Sequence, residues 1–466
     1  MALVLEQIYT EGLAQLSYLV GDDEAGEVAV IDPRRDVDVY LEMAQTRGLR
    51  ITHIVETHIH ADFASGAHEL KARTGATIYG GKSGDYQFAL EELKDGDDLH
   101  LGSVTLRALH TPGHTWEHIS LLISDTQQGI EPFGVLTGDT LFNLDVGRPD
   151  LVGHGTEHQL ASDLFESIFT KLVPLGDRLE VYPGHASGSA CGTSIGDRRQ
   201  STIGNERLFS PAFGKGDEAH FVSWLLGSLP EPPRHYARLK QVNAIGAPVR
   251  GSVPVIPPLS PTEFQCRMQD DSTVVVDARS ILAFGGGHIP GTLNIALGAE
   301  FPTWVGWMVQ PEQQILLVVE NEGDISHAAE HLFRLGYDNV AGYLHGGMTT
   351  WQNAALPLDH LSEWTVHELN CRKDEPRVTV LDVRAENEWI EGHVPGAHHI
   401  YVPHLEGRLD ELDRDQTIAV YCGSGYRASI AASILKKRGF PTVVNIPGSW
   451  TAWTEAGLPV VGGVHQ

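Results

Sequence analysis

The chain has 466 residues, 41% of them hydrophobic and 20% charged, an ordinary soluble composition that excludes collagen-like, coiled-coil and wholly disordered chains. One core rarely grows past about 250–300 residues, so two or three domains are expected. Lys and Arg number 33 against 61 Asp and Glu, a net charge of −28, which repels phosphate backbones and argues against a nucleic-acid partner.

In chain order, apolar runs at 16–20, 28–31, 51–55, 104–109, 119–123 and 133–136 predict strands. Segments 37–47, 63–73 and 158–173 predict helices. Strands dominate, and the histidine motifs follow them, so residues 1–255 are expected to form a sandwich of sheets with outer helices. GSVPVIPPLSP (251–261) carries four prolines and reads as a linker or edge segment.

Beyond it lies an internal repeat spaced about 105 residues apart. VVVDARS (274–280) returns as TVLDVRA (379–385), and GGHIPGTLNI (286–295) as EGHVPGAHHI (391–400). YLHGGMTTWQNAALPL (343–358) returns as NIPGSWTAWTEAGLPV (445–460). The copies predict two small domains, 256–360 and 361–466. In the second, 379–383 and 418–422 read as buried parallel strands and 428–439 as a helix stopped by Gly439, the order of an α/β domain.

No apolar run of about 18 residues is present, so no membrane helix is expected. The opening MALVLEQIYTEG lacks the regions of a signal peptide. Cys191, Cys266, Cys371 and Cys422 are far apart and suit free thiols in a reducing cytoplasm, the expected location.

The strongest chemical signal follows the strand ITHIVE. Thr57-His58-Ile59-His60-Ala61-Asp62-Phe63 is followed by His110-Thr111-Pro112-Gly113-His114, Thr137-Gly138-Asp139 and Tyr182-Pro183-Gly184-His185. Imidazoles and carboxylates on strand-end turns suit a metal site with an open side for substrate. The combination resembles the metallo-β-lactamase superfamily, over roughly residues 5–250, and implies its αββα sandwich.

Hydrolases of that superfamily place a His for a second metal where this chain has Phe63. Two His and one carboxylate around a single ion match the facial triad of non-haem Fe(II) oxygenases. The persulfide dioxygenases of the superfamily use this arrangement, and the resemblance implies His58, His114 and Asp139 as ligands of one Fe(II) per chain, with O₂ as co-substrate. His60, Asp62 and His185 are then expected behind the ligands, orienting them or bound water. Arg148, in a rigid Gly-Arg-Pro turn, is read as pinning its loop, attracting an anionic substrate, or forming a structural salt bridge. Cys191, six residues after His185, is read either as a sulfur-carrying thiol beside the metal or as a buried small residue.

Tyr421-Cys422-Gly423-Ser424-Gly425-Tyr426-Arg427-Ala428-Ser429 follows a strand and opens a helix. Convergent backbone N–H groups, the helix N-terminus and Arg427 all favour a thiolate at Cys422. Phosphatase loops place five residues between Cys and Arg. Here four stand between Cys422 and Arg427, a smaller ring suited to an outer sulfur. With LDVRAENEWIEGHVPGA (381–397) this resembles the rhodanese sulfurtransferases over about 363–460, and implies that Gly423, Ser424, Gly425, Tyr426 and Ala428 cradle a persulfide. Asp382 and Arg384 match that family's structural strand-end pair. In the first copy, Val319 falls opposite Cys422 and Asp324 opposite Arg427, within Glu320-Asn321-Glu322-Gly323-Asp324. That copy is expected to be an inactive rhodanese domain. Cys266 and Cys371 are expected to be inert.

The whole order resembles bacterial persulfide dioxygenase–rhodanese fusions. It implies an α/β multidomain protein that oxidises a small-molecule persulfide or polysulfide to sulfite and yields thiosulfate, with neither nucleic acid nor membrane as partner. The unpaired surface of the inactive copy points to a homo-oligomer. Two alternatives stand beside this reading. One is a zinc thioester or lactone hydrolase of glyoxalase II type fused to a sulfurtransferase, and the other is a non-catalytic sulfur relay.

Overall fold

The computed structural model describes residues 3–129, 131–153 and 155–462. It divides into two units. The first is Met1–Pro254 with Glu330–Gly336, and the second is Val255–Ala329 with Tyr337–Gln466.

Two six-stranded sheets build the first unit. One orders Leu3–Thr10, Gln15–Asp22, Glu27–Ile31, Arg50–Glu56, Thr77–Gly81 and Glu91–Leu93. The other orders Ser201–Thr202, Glu180–Pro183, Gly134–Gly138, Ile119–Asp125, Val104–His110 and Asp98–Leu101. Alternate residues such as Leu16, Tyr18 and Val20 meet Leu106, Leu121 and Ile123 between the sheets, as the two-residue strand period requires. The intervening residues Leu19, Val28, Val30 and Ile54 pack outward on the helices Asp38–Arg47 and Ala67–Thr74. Val135 and Val181 pack against Glu157–Glu166 and Glu218–Ser228. This is the expected αββα sandwich.

All six predicted strands are present. Predicted helix 158–173 runs from Glu157 to Glu166 and continues in a wider, π-type turn to Leu172. Helices Ile203–Phe209, Glu218–Ser228 and His235–Ile245 were not anticipated; they are short and their buried faces are set by packing rather than by a sustained apolar period.

The second unit holds two five-stranded parallel sheets of matching order. The first is Pro258–Leu259, Val340–Leu344, Gln314–Val318, Thr273–Asp277 and Leu293–Asn294. The second is Ser362–Glu363, Val443–Asn445, Thr417–Tyr421, Val378–Asp382 and His398–His399. The proline-rich segment therefore supplies an edge strand, the only part of a parallel sheet where proline's missing N–H is harmless. Trp351 and Trp453 are buried at equivalent places, each donating Nε1–H to a carbonyl six residues on, at 2.8 and 2.9 Å.

Candidate functional site

Strand ends in the first unit deliver the metal-ligating candidates. Arg50–Glu56 leads into His58 and His60, Val104–His110 into His114, Gly134–Gly138 into Asp139, and Glu180–Pro183 into His185. His58, His114 and Asp139 converge, with donor atoms all within 4.8 Å of one another and side chains fully buried. His58 Nε2 lies 3.9 Å and His114 Nε2 3.6 Å from Asp139 Oδ2.

Each imidazole is oriented from behind. Thr57 gives its hydroxyl proton to Asp32 at 2.8 Å, so it accepts from His58 Nδ1 at 2.9 Å. His114 Nδ1 donates to the Arg148 carbonyl at 2.8 Å. The Nε2 lone pairs are thereby left for a ligand. Burial lowers the pKa of both rings, which favours the neutral, ligating form. His58 Nε2 and Asp139 Oδ2 are buried without a hydrogen-bond partner. Such orphans cost about 1–3 kcal/mol each, and a cation between them supplies the missing contacts. The residues fit a metal ion.

The residues expected behind the ligands divide into two networks. His185 donates from Nδ1 to Asp139 Oδ1 and from Nε2 to Asp62 Oδ2, each at 2.8 Å. Burial disfavours its imidazolium, but the flanking Asp139 and Asp62 push its pKa up to about 10. Burial likewise works against the Asp139 carboxylate, yet His185 and His114 hold its pKa well below the usual range. His60 turns away from the centre, donating to Asp32 at 3.0 Å and lying 3.2 Å from Glu56 Oε2. Against burial, these two carboxylates raise its pKa well above that of free imidazole. The Phe63 ring, fully buried, lies 4.5 Å from that of His60.

For Arg148 the structure selects between the readings left open. Its guanidinium binds Asp150 at 2.7 and 2.9 Å and the carbonyls of Ala190 and Pro230 at 3.1 and 2.6 Å. These contacts tie three loop segments together and include a salt bridge to Asp150. Cys191 lies beside Asp62 and His185 and packs with Ala61, Phe142, Ile195 and Tyr236. Burial, with Asp62 and Asp139 nearby, pushes its thiol pKa well above the ordinary value. That favours the protonated form, which is a poor nucleophile.

Asp32, Glu56 and His118 were not anticipated. Asp32 adopts φ 50°, a left-handed conformation that Asp tolerates better than most residues. It accepts from Thr57 N–H at 2.7 Å as well as from His60. Its signal was a strand-end Asp in VIDP, comparable to Asp139 in LTGD. His118 accepts from Asp139 N–H at 2.9 Å, and burial brings its pKa down to about 3. Its signal is a further His four residues after His114 in HTPGHTWEH.

In the second unit, Cys422 follows the strand Thr417–Tyr421 and precedes the helix Tyr426–Lys437. Its Sγ, buried, accepts from Gly425 N–H at 3.1 Å. Gly425 has φ 111°, which only glycine adopts readily. Ser449 Oγ accepts from Cys422 N–H at 3.1 Å, and Gly448 N–H donates to the Ser424 carbonyl at 3.1 Å, fixing the loop. Arg427 is clamped by Glu388 at 2.5 and 2.7 Å, a partner the sequence did not disclose. Burial opposes the Glu388 carboxylate, but Arg427 holds its pKa below the ordinary range.

Val318 pairs with Asp277 as Tyr421 pairs with Asp382. Val319 therefore stands opposite Cys422, as expected, and the first copy has no thiol there. Arg279–Asp277 and Arg384–Asp382 form matching buried pairs at 2.6 Å. Their presence in the copy without a thiol marks them as structural. Cys266 and Cys371 are exposed on the helices Pro261–Arg267 and Val366–Arg372.

The profile of the Metallo-beta-lactamase superfamily matches residues 10–185, and that of the Rhodanese-like domain matches 260–354 and 365–456. The crystal structure of a metallo-beta-lactamase from Staphylococcus aureus subsp. aureus COL is 36% identical, with a TM-score of 0.68, covering 74% of this chain and 99% of that one. A hydroxyacylglutathione hydrolase of Methylococcus capsulatus is 37% identical over 133 residues, 28% of this chain. A cytoplasmic one of Arabidopsis thaliana is 33% identical over 171 residues, 36% of this chain. The matches span 49% and 62% of those two hydrolases. With its αββα sandwich, strand-end His/Asp centre and matching relative over nearly that relative's whole length, the chain belongs to the metallo-β-lactamase superfamily and carries two rhodanese-like domains.

Proposed function

We propose that the chain is a mononuclear Fe(II) persulfide dioxygenase coupled to a sulfurtransferase. The observation that carries this reading is a buried set of two imidazoles and one carboxylate, with His58 Nε2 and Asp139 Oδ2 unpartnered; the family resemblance adds Phe63 where hydrolases place a further ligand. Ferrous iron held there would supply O₂ activation. His58, His114 and Asp139 would hold it. His185 keeps Asp139 oriented and ionised, and the Arg148 carbonyl keeps Nε2 of His114 unprotonated. The overall change is RSSH + O₂ + H₂O → RSH + SO₃²⁻ + 2H⁺, in which the outer sulfur loses the four electrons that O₂ gains.

At the second site, Cys422–S–S⁻ + SO₃²⁻ → Cys422–S⁻ + S₂O₃²⁻. Sulfite attacks the outer sulfur, the S–S bond breaks, and Sγ leaves with the electron pair. Gly425 N–H stabilises that departing thiolate. Linking both activities in one chain raises the local concentration of sulfite at the second. The expected partners are a small-molecule persulfide or polysulfide and sulfite.

The test is O₂ uptake by anaerobically iron-loaded protein given glutathione persulfide. Thiosulfate from wild type, and sulfite from Cys422→Ser, is the expected result. No uptake by protein with iron bound would overturn the dioxygenase reading.

A second reading is favoured by the group Asp62, His185 and Cys191, whose donors also lie within 4.8 Å of one another, and by the hydrolase relatives. It is a zinc thioester hydrolase fused to the same sulfurtransferase. Two zinc ions per chain with thioester cleavage would establish it.

A further inference from the structure

The inactive rhodanese copy forms a wall of a cavity at the Cys422 loop. The cavity, of about 650 Å³, falls within the range of small-molecule sites. Ser424 and Tyr426 of the loop line one side, and Glu320, Asp324 and His327 of the first copy line another. The two sides are joined. Tyr426 donates its hydroxyl to the Ala296 carbonyl at 2.6 Å, and Ile281 lies 3.2 Å from where a Cβ on Gly425 would stand. The degenerate stretch therefore faces the residues two and four places beyond Cys422.

Its charge is the reverse of what an inorganic sulfur anion needs. Glu320 and Asp324 line the cavity, and no Lys or Arg lines it beside them. Asp324 is held in place by accepting from Asn321 N–H at 3.2 Å. Ala278, Ala296 and Leu297 add apolar surface. An acidic wall with apolar flanks favours an ammonium group on a short carbon chain over an anion of the same size, so among organic thiols it selects the cationic ones.

We propose that this cavity is a binding site for an organic thiol bearing a protonated amine, which takes the outer sulfur from Cys422. The step is Cys422–S–S⁻ + RS⁻ → Cys422–S⁻ + RSS⁻. The thiolate attacks the outer sulfur, a new S–S bond forms, and Sγ leaves with the electron pair. The first copy thus serves as a specificity wall for a reaction it does not perform. The proposal rests on the reading of Cys422 as a sulfur carrier.

The experiment loads the full chain at Cys422 with thiosulfate under anaerobic conditions and follows transfer to three thiols. Cysteamine is cationic, 2-mercaptoethanol neutral and 3-mercaptopropionate anionic. With rates referred to thiolate concentration, cysteamine is expected to exceed 3-mercaptopropionate in kcat/KM by about tenfold. In Glu320→Gln/Asp324→Asn this preference is expected to collapse to within about twofold. Equal rates in wild type, or a preference that survives in the double variant, would overturn the proposal. Should no thiol receive sulfur, the sulfur-carrier reading itself fails. Calorimetry on Cys422→Ser then reads the cavity alone, where tighter binding of cysteamine supports the site and equal affinities reject it.

Discussion

At the scale of single residues, Phe63 is where the proposed single-metal reading can be tested. Asp62 and His185 are already paired with each other, and His60 is held by Asp32 and Glu56. Phe63→His adds a donor beside Asp62 and is expected to draw a second ion into each chain, read by elemental analysis. A metal content equal to wild type would show that position 63 does not control stoichiometry. Glu388 governs Arg427 in the same local way. Its folded-state pKa is depressed below the ordinary 4.5, so its contribution to stability is present above 4.5 and is lost as pH falls through the folded value. Glu388→Gln is expected to remove that acid-limb loss, seen as a flatter Tm against pH below 4.5.

At the scale of elements, the centre depends on how closely strand ends approach. A Cβ on Gly184 would stand 2.5 Å from Asp139 Oδ1, and one on Gly138 2.6 Å from His118 Nε2. Gly184→Ala is expected to displace the Asp139–His185 pair and cut metal content severalfold while far-ultraviolet circular dichroism stays native. Retained metal would show that the turn has slack. In the second copy, Trp453→Ala removes a fully buried side chain, a change that costs about 3–5 kcal/mol in a typical core. The expected result is lower Tm and loss of sulfur transfer. The sequence made such elements legible where chemistry is local. THIHAD, GHT and TGD advertise donors on turns, and the repeat exposed both rhodanese sheets and the Val319 substitution. It did not disclose Asp32, His118 or Glu388. Each acts through a partner 28, 21 or 39 residues away, and one chain carries no sign of which strand ends will meet. The helices after residue 200 were missed for a related reason. Their faces are set by packing on a sheet rather than by periodicity.

At the scale of the whole molecule, the net charge of −28 opposes every anionic reactant in the proposed cycle. Sulfite is a dianion at neutral pH or above, and long-range repulsion slows its arrival. Added salt shortens the Debye length to about 8 Å at 0.15 M, so kcat/KM for sulfite is expected to rise with ionic strength. A value independent of salt would mean that sulfite never leaves the protein between its formation and its capture. Among the described residues, no helix is long and apolar enough to cross a membrane. The first unit is also discontinuous, closing only with Glu330–Gly336. During synthesis the sheets and helices of the sandwich, all N-terminal to Pro254, emerge before Glu330–Gly336 is made. At about 5–20 residues per second, the interval after Pro254 is on the order of ten seconds. The surface that Glu330–Gly336 covers stays open for that interval, which makes it a window in which chaperones and metal donors meet an incompletely covered domain.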